Sequence, residues 1–359
     1  MCARQQKKLK AYFCSVEQQQ IIDAFCALGQ VFEDFLEKRP SKLLTADEYA
    51  RLEAIIQKEQ HYNGWFTPEQ IHLALHELRP WLTKEALQNW LTPYQFAQNP
   101  HRVALILPGN LPMVGFHDFL CVLLAGHTAV VKLSSEDARL LPAFAEILCT
   151  FQPDLKNRIE FVQGKLSDFS AVIATGSNNA MLHFRSYFEK YPHLFRGHRS
   201  SLAVLDGSET PQELELLGQD VLRYYGRGCR NVTQVWLPRG FELNRIFESL
   251  LPMAEVVNHK KYGNNYDYNK AIHLMNQSPI LDNNFILLKE SDQLFSPLAM
   301  LHYCFYDTPD EVKSFIEKHQ EEIQCIVGHQ YLPFGAAQAP QLNDYADGAD
   351  TMLFLGNFA

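Results

Sequence analysis

The chain has 359 residues, 47% of them hydrophobic and 20% charged, with a formal net charge of −9. That length holds two domains, or one large domain with an appendage, and the composition is ordinary for a globular protein. The acidic balance excludes a general nucleic-acid binder, which needs a basic surface against phosphates. The longest apolar run, residues 119–125, is far too short to span a bilayer. Residues 1–10 are polar and basic with no long apolar core after them, so no secretory signal is expected. Eight cysteines without a C-x-x-C pair suit a reducing cytoplasm better than a disulfide framework.

Residues up to about 98 read as helical. Ile21, Ile22, Phe25, Leu28, Val31, Phe32 and Phe35 fall close to one helical stripe. Thr45-Ala46-Asp47-Glu48 looks like a cap opening a second helix through Ile56, and Thr67-Pro68-Glu69-Gln70 opens a third with proline at its first position. A further helix covers residues 83–90. The aromatic turn Asn63-Gly64-Trp65-Phe66 reads either as a plug over the core or as the entrance for an apolar substrate. His72 and His76 share a helix face at i, i+4. Leu73 stands where a zinc-protease motif needs glutamate, so the pair reads as surface and no metal site is expected.

From residue 103 the pattern changes. Strands are expected at 103–107, 129–133, 159–162 and 171–174, with helices at 114–125, 137–151 and 178–189 between and after them. Strands at 201–205, 232–237, 285–288, 299–305 and 323–327 continue the series. Continuously apolar strands alternating with helices predict parallel sheets covered on both faces. The expected organisation is a helical region (1–98) packed on a nucleotide-binding domain (99–200), then a catalytic α/β domain (201–335) and a C-terminal tail (336–359).

Three strand ends carry small or polar residues where α/β sheets place ligands: Leu107-Pro108-Gly109-Asn110-Leu111-Pro112, Lys132-Leu133-Ser134-Ser135 and Thr175-Gly176-Ser177. A lysine there suits a ribose or phosphate, and a Gly-Ser opening a helix suits a pyrophosphate. Neither the G-x-G-x-x-G fingerprint nor a P-loop is present. In Tyr224-Tyr225-Gly226-Arg227-Gly228-Cys229-Arg230-Asn231 a cysteine stands between a glycine and an arginine, just after a helical pattern and just before a strand. The glycines leave room for a substrate, and the arginines favour a thiolate nucleophile. The plainer alternative is a small buried side chain in a turn. Cys121, Cys149, Cys304 and Cys325 lie in apolar patterns and are expected to be inert core residues.

Taken in order, these segments resemble the aldehyde dehydrogenase superfamily. The matches are Pro108-Gly109-Asn110-Leu111-Pro112, Val130-Val131-Lys132, Thr175-Gly176-Ser177, Cys229, Phe295-Ser296-Pro297 and Pro333-Phe334-Gly335. The wording Leu-Pro-Gly-Asn, Gly-Phe-His-Asp-Phe, Lys-Leu-Ser-Ser, Ala-Thr-Gly-Ser-Asn-Asn, Gly-Cys-Arg-Asn-Val and Tyr-Ala-Asp-Gly-Ala-Asp-Thr is similar to a narrower branch. That branch is the acyl-CoA reductases related to the fatty-acid reductase of bacterial luminescence. The resemblance implies an aldehyde dehydrogenase-like fold and reduction of a fatty acyl-CoA, or another acyl thioester, to the aldehyde. It implies Cys229 as nucleophile and Asn110 as oxyanion donor. For the cofactor it implies Pro108, Gly109, Lys132, Ser134, Ser135, Thr175, Gly176, Ser177, Gln293 and Phe295.

Where the superfamily has its general-base glutamate this chain resembles it with Val204-Leu205-Asp206-Gly207, so the base is either Asp206 or absent. Gln293 replaces a glutamate that contacts the nicotinamide ribose. Ser135 stands where a ribose-binding glutamate would repel a 2′-phosphate, which favours NADP(H) over NAD(H), unless a one-residue shift brings Glu136 to the ribose. The luminescence relatives suggest an acyl-protein synthetase partner. The chain ends soon after Thr351-Met352-Leu353-Phe354, where longer relatives carry an oligomerisation strand, so the oligomeric state stays open. The competing readings are an aldehyde dehydrogenase running towards the acid and a non-catalytic binding protein on the same fold.

Overall fold

The computed structural model describes residues 3–357, with side chains from residue 17. The outermost residues of the expected first and last segments, among them Met1 and Cys2, lie outside that range, as does the Cys14 side chain. The chain forms two compact units, one running to Gly197 and resuming at Gln341, the other covering His198–Pro340.

The first unit opens with helices α1 (Ala3–Leu36), α2 (Ala46–Lys58), α3 (Pro68–Leu78) and α4 (Lys84–Leu91). Thr45 and Glu48 form the reciprocal cap of α2, and Thr67 caps α3 ahead of Pro68. A five-stranded sheet follows. It consists of β1 (Arg102–Ile106), β2 (Thr128–Lys132), β3 (Ile159–Phe161), β4 (Ala171–Thr175) and β5 (His193–Arg196), in the order β3-β2-β1-β4-β5. Every pairing is parallel. Helices α5 (Phe116–Leu124), α6 (Leu140–Phe151) and α7 (Asn178–Phe188) connect strands of this sheet. The α1 stripe is the inner face of the helical region. Phe25 meets Phe116 edge-on at 6.2 Å and Phe32 meets Phe144 at 4.9 Å, so α1 is sealed onto α5 and α6. Full burial of each ring contributes about 2–3 kcal/mol.

The second unit has a six-stranded sheet of β6 (Ser200–Val204), β7 (Val232–Pro238), β8 (Leu281–Asp282), β9 (Leu287–Glu290), β10 (Met300–Tyr306) and β11 (Ile323–Val327). Its order is β11-β6-β7-β10-β9-β8, parallel except for the short β8–β9 pair. Helices α8 (Pro211–Leu222), α9 (Asn244–Leu250), α10 (Lys260–Met275) and α11 (Pro309–Lys318) lie between its strands. The fold is α/β, with one parallel sheet, one mixed sheet and a helical N-terminal region. None of the described helices is long and apolar enough to cross a membrane.

From Gln341 the chain returns to the first unit and ends in α12 (Thr351–Gly356). Arg196, at the end of β5, donates to both carboxylate oxygens of Asp118 at 2.6 Å and to Thr351 Oγ1 at 2.7 Å, all three residues being buried. Trp90 and Tyr94 bond the Tyr345 hydroxyl at 2.9 Å, and Tyr94 donates to Asp350 at 2.7 Å. Removing one partner of the buried ion pair would strand a charge and cost about 3–5 kcal/mol.

Three sequence expectations shift. The strand expected at 285–288 begins at Leu287, because residues 283–286 form a turn in which Asn283 accepts from the Ile286 N–H. The helix expected from 137 begins at Leu140, because Asp137 N–H is spent on Ser134 O in the preceding turn. Strand β5 was not expected at all.

Candidate active site

The candidate cofactor residues of the first unit all follow strands. β1 lies between β2 and β4, so the loops after these three strands sit side by side at the finish end of the sheet. Gly109 is buried against the neighbouring loop. A Cβ there would come within 2.6 Å of Ser134 Oγ, so only glycine lets Pro108-Gly109-Asn110 pack on Ser134. Asn110 and Lys132 are half-buried, and Ser135 and Glu136 are exposed. Ser134 Oγ accepts from the Glu136 N–H at 3.2 Å, and Asn63 Nδ2 donates to Glu136 O at 3.1 Å. The aromatic turn is therefore a brace behind this loop. Phe66 is fully buried and Trp65 packs on the core, which favours the plug over the entrance. Ser177 caps α7 by accepting from the Ala180 N–H at 3.3 Å, with Thr175 ending β4 and Gly176 between them.

Behind Asn110, Met113 takes a left-handed conformation (φ 59°) and donates its N–H to Asp137 Oδ2 at 2.9 Å. Burial pushes the Asp137 carboxyl up to about 7.

The candidate residues of the second unit precede strands. Cys229 is exposed on the turn between α8 and β7. Tyr224, Tyr225 and Gly226 form a left-handed run (φ 53°, 58° and 74°), which bends the chain back after α8. Asn231 fixes the turn. Its Oδ1 accepts from the Gly228 N–H at 2.7 Å, and its Nδ2 donates to the carbonyls of Asp220, Val221 and Arg223 at 2.9–3.1 Å. Ser201, at the start of β6, donates from Oγ to the Cys229 carbonyl at 3.0 Å. The nucleophile candidate thus has a rigid backbone and an open side chain.

Arg230 is turned away from a purely electrostatic role, because its Nε donates to Ala337 O at 2.5 Å. Asp220 on α8 accepts from Gly335 N–H (2.6 Å) and Ala337 N–H (2.9 Å), which ties the Pro333-Phe334-Gly335 segment to the same helix. Burial raises the Asp220 carboxyl to about 6. Phe295 is half-buried and Gln293 exposed, both ahead of β10. Leu294 O accepts from Thr233 Oγ1 at 2.6 Å, which brings this segment to the start of β7.

Asp206 lies away from the Cys229 turn. Cys229 is bonded to the start of β6 and Asp206 follows its end. Five extended residues at about 3.3 Å each separate them by roughly 16 Å. Its carboxylate accepts from the Ser208 N–H (2.9 Å) and hydroxyl (2.6 Å) and faces His329 Nδ1 at 2.8 Å. The serine bonds first, then the imidazole, hold its carboxyl down at about 2, too acidic for a base. Among the described residues one trio of ligand-type side chains converges, Asp206, Glu209 and His329. Glu209 accepts from the Asp206 and Gly207 N–H groups, so the trio is knit into a turn.

Cys121 and Cys149 are buried, and burial raises both thiols. Cys304 and Cys325 are only half-buried, which corrects the expectation of four core cysteines. Cys325 Sγ lies 3.1 Å from Ser201 Oγ. His198 carries no expectation from the sequence. It stands two residues before β6 and its ring stacks on Phe295 at 4.9 Å.

Solved structures of similar fold include an oxidoreductase from Marinobacter aquaeolei (12% identity, 88% of this chain and 73% of that one, TM-score 0.62). Aldehyde dehydrogenase 21 from Physcomitrella patens, in complex with succinate, is similar over 86% of this chain and 77% of its own (11% identity, TM-score 0.59). The Mycobacterium tuberculosis aldehyde dehydrogenase complexed with NAD+ is similar over 82% and 70% (14% identity, TM-score 0.53). At these identities the likeness is one of fold. No curated protein sequence matches the chain. The family model for LuxC, acyl-CoA reductase, matches residues 13–259. That match supports an aldehyde-related oxidoreductase. With well over half of its length matched, the chain belongs to the LuxC acyl-CoA reductase family.

Proposed function

We propose that the protein reduces a fatty acyl-CoA, or another acyl thioester, to the aldehyde through an acyl-enzyme on Cys229, with NADPH as hydride donor. The observation that carries this reading is the exposed Cys229 side chain on a turn whose backbone is fixed by Asn231 and Ser201. The Cys229 thiolate attacks the thioester carbonyl and the carrier thiol leaves. By resemblance, Asn110 supplies a side-chain N–H to the oxyanion. The nicotinamide, when bound, supplies hydride to the acyl group, and collapse of the thiohemiacetal releases the aldehyde and regenerates the thiolate. In the first unit Pro108, Gly109, Lys132, Ser134, Ser135, Thr175, Gly176 and Ser177 are the proposed cofactor residues, with Gln293 and Phe295 from the second.

The position of Asp206 favours reduction over oxidation to the acid. A carboxylate able to activate water beside Cys229 would hydrolyse the acyl-enzyme, and Asp206 stands at the wrong end of β6. The reaction belongs in the cytoplasm, where thiols stay reduced, and an acyl-protein synthetase is a fitting donor of acyl groups. The test is consumption of NADPH with acyl-CoAs of rising length, together with labelling by a radioactive acyl-CoA in the absence of cofactor. The expected result is aldehyde formation and a thiol-bound label that Cys229→Ala abolishes. Failure to oxidise NADPH with any chain length, or an undiminished label in the variant, would sink the reading.

A further inference from the structure

The segment from Pro108 to Met113 lies between β1 and α5 and carries Asn110. It is gripped at two points by one neighbour, the loop that follows β2. At the first, Gly109 packs on Ser134, where a Cβ would come within 2.6 Å of Oγ. At the second, Met113 donates its N–H to Asp137 Oδ2 at 2.9 Å. Asn110 lies between the two grips, and Pro112 restricts the chain just ahead of the second.

The second grip holds a strained residue. Met113 is buried and left-handed, with φ 59°. A side-chain-bearing residue rarely takes that conformation, and it persists only where its surroundings impose it. Without Asp137 the buried Met113 N–H would lose this acceptor. Relaxation of Met113 to a right-handed conformation would then swing the chain before it, Asn110 included.

Asp137 is itself held in place. Its N–H bonds Ser134 O at 3.2 Å. One residue earlier, Glu136 O accepts from Asn63 Nδ2 at 3.1 Å. Two residues later, Arg139 forks onto the buried Glu59 with both bonds at 2.8 Å, and its guanidinium lies 3.3 Å from the centre of the Tyr62 ring. The helical region thus clamps the chain on both sides of Asp137, and the carboxyl passes that rigidity to Met113. Asp137 is buried, and its Oδ1 has no hydrogen-bond partner. An orphaned buried oxygen costs stability, so the residue is not explained by stability alone. Its remaining work is the single backbone bond it makes.

We infer that Asp137 is a positioning residue for the reaction: it holds Met113 so that the Asn110 amide keeps the pose from which it donates to the oxyanion. Asp137 acts through Asn110. The inference rests on the reading above, in which Asn110 serves Cys229 acylation.

The experiment is a double-mutant cycle on the full chain. Single-turnover thiol release is followed without reduced cofactor, using the acyl-CoA that the parent turns over fastest, and NADPH affinity is titrated separately. Asp137→Ala is expected to slow release about 10- to 100-fold, the scale of a displaced catalytic group, and to leave NADPH affinity unchanged. In an Asn110→Ala background the same substitution should cost less than about threefold, because its route to the chemistry is already gone. Asp137→Asn keeps an acceptor for the Met113 N–H and should restore release to within about threefold of the parent. Asp137→Ser, one bond short of Met113, takes the place of the alanine variant in the cycle if that variant does not fold. A general loss of folded protein lowers both backgrounds by the same factor, and that result overturns the inference. So does normal release by Asp137→Ala, or an asparagine variant as slow as the alanine one. The underlying reading fails by a different result, namely parental release by Asn110→Ala alone, and the role of Asp137 falls with it.

Discussion

The two sheets keep their candidate residues at opposite ends. In the first unit Pro108, Gly109, Asn110, Lys132 to Ser135, and Thr175 to Ser177 end or follow strands. In the second, Cys229 and Phe295 precede them, while of the residues that follow β6 Asp206 accepts from Ser208 and faces His329, and Glu209 accepts from the Asp206 and Gly207 N–H groups. The rule that α/β ligands gather at the carboxyl ends of strands fits the candidates of the first sheet and not those proposed in the second. A strand end is a site only where its side chains are left with something to do. Asp206 accepts both Ser208 bonds on one oxygen and faces His329 with the other.

The strongest way to break this contrast is at the finish end of the first sheet. Asn110→Ala should lower the acylation rate about 100- to 1,000-fold, the usual loss for one oxyanion donor. Cofactor affinity should hardly change, because Gly109 and Ser134 keep their contact. Pre-steady-state acylation and nucleotide titration read the two separately. A variant with normal acylation would reduce Asn110 to a turn residue, which Pro-Gly-Asn readily permits.

A smaller effect is expected one strand over. Ser135 is exposed, and its neighbour Glu136 is held by its backbone to Asn63 and Ser134. Ser135→Glu places a carboxylate where the proposed 2′-phosphate lies. The ratio of kcat/KM for NADPH over NADH should fall about tenfold, the equivalent of ~1.4 kcal/mol. A parent enzyme that prefers NADH, or an unchanged ratio in the variant, would remove Ser135 from cofactor choice and leave Glu136 to be tested.

Much of this was legible in the residues, for identifiable reasons. Ala129-Val130-Val131 and Ala171-Val172-Ile173-Ala174 are apolar on both faces because both faces are covered, and every one is buried in the fold. Thr45 and Thr67 announced their helices through capping chemistry that acts over three residues. Strand β5 was not legible. His193-Leu194-Phe195-Arg196 is an edge strand with no apolar run, and His193 stacks on Phe195 at 4.0 Å. The place of His198 beside Phe295 was not legible either, since it depends on the order β6-β7-β10 that brings distant segments together. The place of Asp206 was not legible for the same reason: a local match in wording says nothing about which end of a strand the cysteine turn is bonded to.

The smallest effect is the sharpest test of that last point. Asp206→Asn should leave turnover within about twofold of the parent, since its carboxylate stands roughly 16 Å from the Cys229 turn. It should lower stability instead, and in a pH-dependent way. The carboxylate is held below its usual range by Ser208 and His329, so its contribution is present above about pH 4 and is lost only as pH falls towards 2. His329 titrates the other way. Bonds first to Asp206 and then to Glu213 raise its imidazolium, so that pairing is fully present below about pH 6.5 and is lost as pH rises through the raised value. The melting temperature of the variant should therefore fall furthest below the parent's near pH 5–6, where both partners are charged, and the gap should narrow by pH 9. The pair is half-exposed, which limits the difference to about 0.2–1 kcal/mol. A large loss of turnover with an unchanged melting curve would return Asp206 to the chemistry and reverse the contrast between the two ends of β6.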